Sequence, residues 1–190
     1  MRDMTRALRA DAQRNRERIL DVATAVVAEQ GTQASLRDIA RRAGVGMGTL
    51  YRHFATREEL LEALLGGRFD RLADRAEALR DANPPGEALT AWLGEFASGV
   101  TVYRGLAASL VATLEDDTTS LHASCARMRA AGADLLARAQ ESGDVRPDVD
   151  GTDLFALLGA VASIADTAPS LAERRGHLLQ LVMDGLAARR

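Results

Sequence analysis

Residues 35–54, SLRDIARRAGVGMGTLYRHF, restrict what this chain can fold into more than any other stretch. Leu36, Ile39, Ala40 and Ala43 recur at i, i+3, i+4 and i+7, the spacing that builds one apolar helix face. Gly44-Val45-Gly46 breaks that helix, and a second short helix follows with Leu50 and Phe54 inward. Two short helices joined by a Gly-containing turn predict a helix-turn-helix. Met47, Gly48, Thr49, Tyr51, Arg52 and His53 are left on the outer side of the second helix. They are small, hydrogen-bonding or basic, a surface suited to the major groove of double-stranded DNA.

The distribution of charge points the same way. The net charge of −3 is unpromising for a nucleic-acid binder until the chain is divided. Residues 1–60 carry 11 Arg against 8 acidic residues, and the remaining 130 carry 13 against 19. The basic surplus therefore sits with the helix-turn-helix, where phosphates would be met. All 24 basic residues are Arg, whose planar fork grips phosphate at two points.

A pass along the chain predicts helices only, so the expected class is all-α. Residues 1–13 read as a flexible basic arm with Arg2, Arg6 and Arg9, residues 14–60 as the DNA-binding domain and 61–190 as a larger helical domain. The first helix is expected over 15–30, with Ile19, Ala23, Val26 and Val27 inward and Gly31 as its stop. Ser35 is the expected N-cap of the second helix, with Asp38 at N3. Thr56 with Glu59 predicts a capping box for a long fourth helix reaching residue 82, about 39 Å at 1.5 Å per residue. After Asn83-Pro84-Pro85-Gly86, helical periodicity continues over 89–100, 105–114 and 121–142. An eighth helix has Asp150 and Asp153 at its start and 154–165 as its apolar body. Ser170 with Glu173 predicts a capping box for a last helix over 171–188.

Several classes are excluded or disfavoured. No apolar run approaches the ~20 residues of a membrane span, and the N-terminal stretch has no signal-peptide core, so a cytoplasmic protein is expected. The single cysteine, Cys125, rules out an intramolecular disulfide and reads as a small buried residue. No Ser-His-Asp order, paired carboxylates, phosphate loop or metal-ligand spacing is visible, so no enzyme, cofactor or metal is expected. His122 with Glu115, Asp116 and Asp117 reads as a solvated loop rather than a metal site. A helix-turn-helix used for protein contact alone is the remaining alternative, and it would lack the salt dependence of phosphate binding.

The stretch SLRDIARRAGVGMGTLYRHFATREELLEALL, within residues 14–66, resembles the DNA-binding module of the TetR family of bacterial transcription regulators. The resemblance rests on Ser35 opening the second helix, Ile39-Ala40, Ala43-Gly44-Val45 at the turn, and Leu50-Tyr51-Arg52-His53-Phe54. Gly46 replaces the usual Ser or Thr and offers no hydroxyl, and Arg57 replaces a usual Lys and keeps its charge. The resemblance implies a homodimer built from helices eight and nine, a ligand cavity within helices four to seven, and release of a near-palindromic operator when a small-molecule effector binds. The DNA-contacting residues are then expected to be Ser35, Arg37, Met47, Gly48, Thr49, Tyr51, Arg52, His53 and Arg57. Arg52 is the expected base reader, with a phosphate contact as the alternative, and Arg57 the expected phosphate clamp after the recognition helix, with a solvated surface side chain as the alternative. Trp92, Phe96, Tyr103, Leu110, Leu114 and Met128 are the bulky candidates for the cavity wall, although plain helix core explains such a stripe equally well. Leu154, Leu157, Leu158, Val161, Leu178, Leu181 and Val182 are the candidates for a subunit interface.

Overall fold

The computed structural model describes residues 2–100, 110–167 and 169–188. Its elements are α1 (Arg2–Gln30), α2 (Leu36–Arg42), α3 (Met47–His53), α4 (Arg57–Ala82), α5 (Pro85–Val100), α6 (Val111–Glu115), α7 (Ser120–Glu141), α8 (Gly151–Thr167) and α9 (Arg175–Leu186). Among the described residues there is no β-strand, and the all-α class holds. The described residues divide into two compact units, 2–65 with Leu110, and 66–100 with 111–167 and 169–188, and the division falls within α4.

In the first unit, α2 packs against both α1 and α3. Ile19, Ala23, Val26 and Val27 of α1, Ile39, Ala40 and Ala43, and Leu50 and Phe54 are all buried. The turn has a specific cause. Gly44 stands at φ +65, a left-handed conformation that costs a residue with a Cβ roughly 1–2 kcal/mol. There its N–H donates to Arg41 O at 3.2 Å and that of Val45 donates to Ala40 O at 3.0 Å. These two bonds form a Schellman closure of α2 and aim the chain into α3. Ser35 caps α2 as expected, its hydroxyl accepting from Asp38 N at 3.4 Å. Thr56 caps α4, accepting from Glu59 N at 3.1 Å, while the Glu59 carboxylate reaches back to Ala55 N at 2.7 Å.

The start of α1 differs from expectation. The helix begins at Arg2 rather than near residue 15, so the arm expected over 1–13 is helical from residue 2 onward. Ala, Leu, Arg and Gln dominate this stretch and no Gly or Pro precedes Gly31, which leaves nothing to stop the helix. Side-chain pairs one turn apart add to it, with Arg14 on Asp11, and Gln13 on Glu17 at 2.7 Å.

In the second unit, α5 packs against α7, α8 and α9. Its centre is Trp92, which is fully buried and donates its indole N–H to Leu72 O at 2.8 Å. Phe96 and Phe155 stand 5.8 and 6.1 Å from it, ring centre to ring centre. Gly132 of α7 makes this possible, because a Cβ there would lie 2.5 Å from the Trp92 ring. Asp144, in the connector before α8, accepts from Gly86 N at 3.1 Å and so caps the first turn of α5 from a distance. The same connector pairs with the end of α9, Arg146 N donating to Leu186 O at 2.9 Å. Asp150 and Asp153 form a reciprocal cap at the start of α8, at 2.9 and 3.2 Å.

The beginning of α9 is a second departure. Residues 169–174 wind as a 3-10 turn, and the α-helix starts only at Arg175. Ser170 lies inside that turn, so no extended residue precedes the helix to act as the expected cap. Tyr103 and residues 105–109 of the helix expected over 105–114 fall outside the described residues.

Candidate nucleic-acid interface

The Schellman turn and the burial of Leu50 and Phe54 leave one side of α3 uncovered. Gly48 and Arg52 are exposed there, Tyr51 is 49 % exposed, and Met47, Thr49 and His53 are half-buried. Arg37 is exposed on α2, while Ser35 is engaged as its cap. Arg52 is not free-swinging: Nε donates to Gly48 O at 3.2 Å and Nη2 to Thr49 Oγ1 at 3.0 Å. His53 stacks loosely beside Phe54, with ring centres 6.5 Å apart.

Arg57 departs from the expected clamp in one respect. Its Nη1 donates to two backbone carbonyls between α1 and α2, Thr32 O at 3.1 Å and Ala34 O at 2.6 Å. Half-buried and tied in this way, Arg57 fastens the first turn of α4 to that connector, and only its Nε and Nη2 are left for a phosphate.

Two further groups were not singled out by sequence reasoning. Arg16 of α1 lies 5.2 Å from the centre of the Phe54 ring, a cation–π contact at the end of α3. Asp38 accepts from Arg41 at 2.6 Å and Arg42 at 2.9 Å, and Arg42 also meets Glu29 at 2.8 Å. The Arg41 hydrogen bond, partly opposed by burial and assisted by Gln30 and Arg42, holds the Asp38 carboxyl below its ordinary range. The Asp38 pairs follow i+3 and i+4 spacing and were legible in principle. The Glu29–Arg42 pair joins different helices and was not.

These features match a known family. The description "Bacterial regulatory proteins, tetR family" fits residues 19–64, and "Transcriptional regulator SbtR-like, C-terminal domain" fits 84–188, more than half of the chain. The chain belongs to the TetR family. It is a transcription regulator with a DNA-binding helix-turn-helix rather than an enzyme. This TetR-family chain is 32% identical over 149 residues to the HTH-type transcriptional repressor KstR2 of Mycobacterium tuberculosis, covering 71% of each. It is 43% identical over 82 residues to the repressor KstR of Mycolicibacterium smegmatis, covering 40% of each. The crystal structure of the TetR regulator SCO0520 from Streptomyces coelicolor superposes with a TM-score of 0.73 at 38% identity, over 92% of this chain and 99% of that one. A TetR regulatory protein from Mycobacterium vanbaalenii gives 0.72 at 38% identity, over 95% and 99%.

In the C-terminal unit the candidate wall residues do not gather around one space. Trp92 and Met128 are packed core, with Phe96 against them. Leu114 is half-buried on α6, Leu110 belongs to the other unit, and Tyr103 lies outside the described residues. A hollow of about 560 Å³ is lined instead by Arg129, Ala133, Asp150, Thr152 and Phe155 among others. The interface candidates also separate. Leu154, Leu158 and Val161 are buried within their own unit, which corrects their assignment, because α8 turns that stripe toward the core. Leu157 and Leu181 are 41% and 53% exposed, Leu178 is half-buried, and Val182 packs against the core. Leu171, also exposed, was not anticipated.

Among the described residues no group of three or more His, Cys, Asp or Glu is placed to hold a metal, and no helix is long and apolar enough to cross a membrane. Asp116 is engaged by Thr118 at 2.7 Å, and His122 Nδ1 lies 2.7 Å from Leu114 O. Burial pushes the half-buried Cys125 thiol up, against the pull of Arg129.

Proposed function

We propose that this protein is a ligand-responsive repressor that binds a near-palindromic operator as a homodimer and is released by a small-molecule effector. The exposed side of α3, with Arg52 at its centre, carries the reading. Met47, Gly48, Thr49, Tyr51, Arg52 and His53 enter the major groove, and Ser35, Arg37 and Arg57 meet the flanking phosphates. The repressors KstR2 and KstR among the relatives support the direction of control. Leu157, Leu178 and Leu181 form the subunit contact, and Val182 supports it from beneath. Two recognition helices then stand about 34 Å apart, one turn of DNA. Effector binding within residues 61–190 displaces α4 and changes that spacing. Residues 14–60 form the DNA-binding domain in this scheme, and 61–190 the ligand-binding and dimerisation domain.

Selection of bound fragments from genomic DNA, followed by anisotropy titration of the full chain on the enriched duplex, tests this. Arg52→Ala is expected to weaken binding by ~1–3 kcal/mol and to relax discrimination at one base position. Equal loss on every duplex would make Arg52 a phosphate contact, and failure to enrich any fragment would overturn the operator reading.

A further inference from the structure

We infer that Thr49 is a positioning residue for Arg52, holding its guanidinium so that the end bearing Nη1 and Nη2 points outward for two-point recognition of a guanine. This rests on the reading of α3 as the recognition helix. A guanidinium offers donors along two usable edges, a side edge formed by Nε with Nη2 and an end edge formed by Nη1 with Nη2. In this structure the side edge is closed: Nε donates to Gly48 O at 3.2 Å and Nη2 to Thr49 Oγ1 at 3.0 Å. The end edge keeps its two hydrogens, one on Nη1 and one on Nη2. Guanine presents O6 and N7 as adjacent acceptors in the major groove, and that pair matches such an edge.

Charge argues for the same assignment. Arg41 and Arg42 in the same unit are neutralised by Asp38 and Glu29. The partners of Arg52 are a carbonyl and a hydroxyl, so its orientation is held while its charge stays uncompensated. Order gained in the free protein need not be supplied on binding, which favours discrimination over mere attraction. Thr49 is three residues before Arg52, one helical turn away and on the same face. Gly48 contributes only its backbone, so Thr49 is the side chain on which the orientation depends.

The test selects duplexes with a randomised central segment, using the full chain, and reads base preference by position. Wild type and Thr49→Ser should enrich guanine at one position per half-site, and Arg52→Ala should lose that preference. Thr49→Val should reduce it about tenfold, since a methyl replaces the hydroxyl that holds Arg52; Thr49→Ala serves the same purpose if valine disturbs α3. Full guanine preference in both hydroxyl-free variants would overturn the inference. So would a change confined to another position, because Thr49 would then read a base itself. Preferences unaltered by Arg52→Ala would make Arg52 a phosphate contact and overturn the inference with it, whereas failure to enrich any duplex would overturn the underlying reading of α3.

Discussion

Arg57 and Asp38 show how single side chains can be committed to the scaffold before DNA arrives. The motif places a cation at the start of α4, and chemistry alone would give it to a phosphate. The structure gives half of its fork to Thr32 O and Ala34 O, carbonyls no motif could have nominated. Asp38 has a parallel role between Arg41 and Arg42. Its depressed pKa means that its stabilising effect is complete above the ordinary value of 3.8 and is lost as pH falls through the lower folded value. Asp38→Asn should therefore lower the melting temperature near neutral pH, with the difference from wild type closing as pH falls below 3.8 through the lower folded value. A difference that persists unchanged into acid would remove the ionised carboxylate from the explanation. Gly132 acts by absence. Adding one methyl against the Trp92 ring should cost ~1–3 kcal/mol, so Gly132→Ala should shift the urea midpoint downward.

At the level of elements, a turn and a helix start can be told apart by two glycines. Gly44 and Gly48 both have open space where a Cβ would stand, but only Gly44 has positive φ. Gly44→Ala should destabilise the chain by ~1–2 kcal/mol. Gly48→Ala, within α3, should stabilise it by ~0.5–1 kcal/mol while crowding the DNA side. Thermal melts of the two variants should thus move in opposite directions. The same elements mark what was legible beforehand. The α2–α3 turn, the caps at Ser35 and Thr56 and the inward face of α1 were readable because each depends on neighbours within a few residues. The helical start of α1 was missed because a basic, polar stretch was taken for an arm despite its helix-forming composition. The 3-10 turn before α9 was missed because Ser170 and Glu173 have the spacing of a cap without the extended backbone that a cap needs. Pocket and interface residues were the least legible. Periodicity identifies an apolar face but not whether a core or a second subunit covers it, and Leu154 and Leu157 differ only in that respect.

For the whole molecule, this distinction becomes measurable. Leu154→Ala should reduce folding stability by ~2–5 kcal/mol, the cost of a cavity in a packed core. Leu157→Ala should leave the fold of the single subunit within ~0.5 kcal/mol and act on dimerisation instead. Leu157→Glu with Leu181→Glu should yield a folded monomer by light scattering; a persistent dimer would place the subunit contact elsewhere. The central claim is that the uncovered side of α3 engages DNA through phosphates and reads it through Arg52. Its most direct test is anisotropy of wild type and Arg52→Ala on a selected and a scrambled duplex, with salt raised from about 50 to about 200 mM. Wild-type affinity should fall by orders of magnitude across that range, and Arg52→Ala should narrow the gap between the two duplexes. Binding that ignores salt, or a gap unchanged by Arg52→Ala, would contradict it.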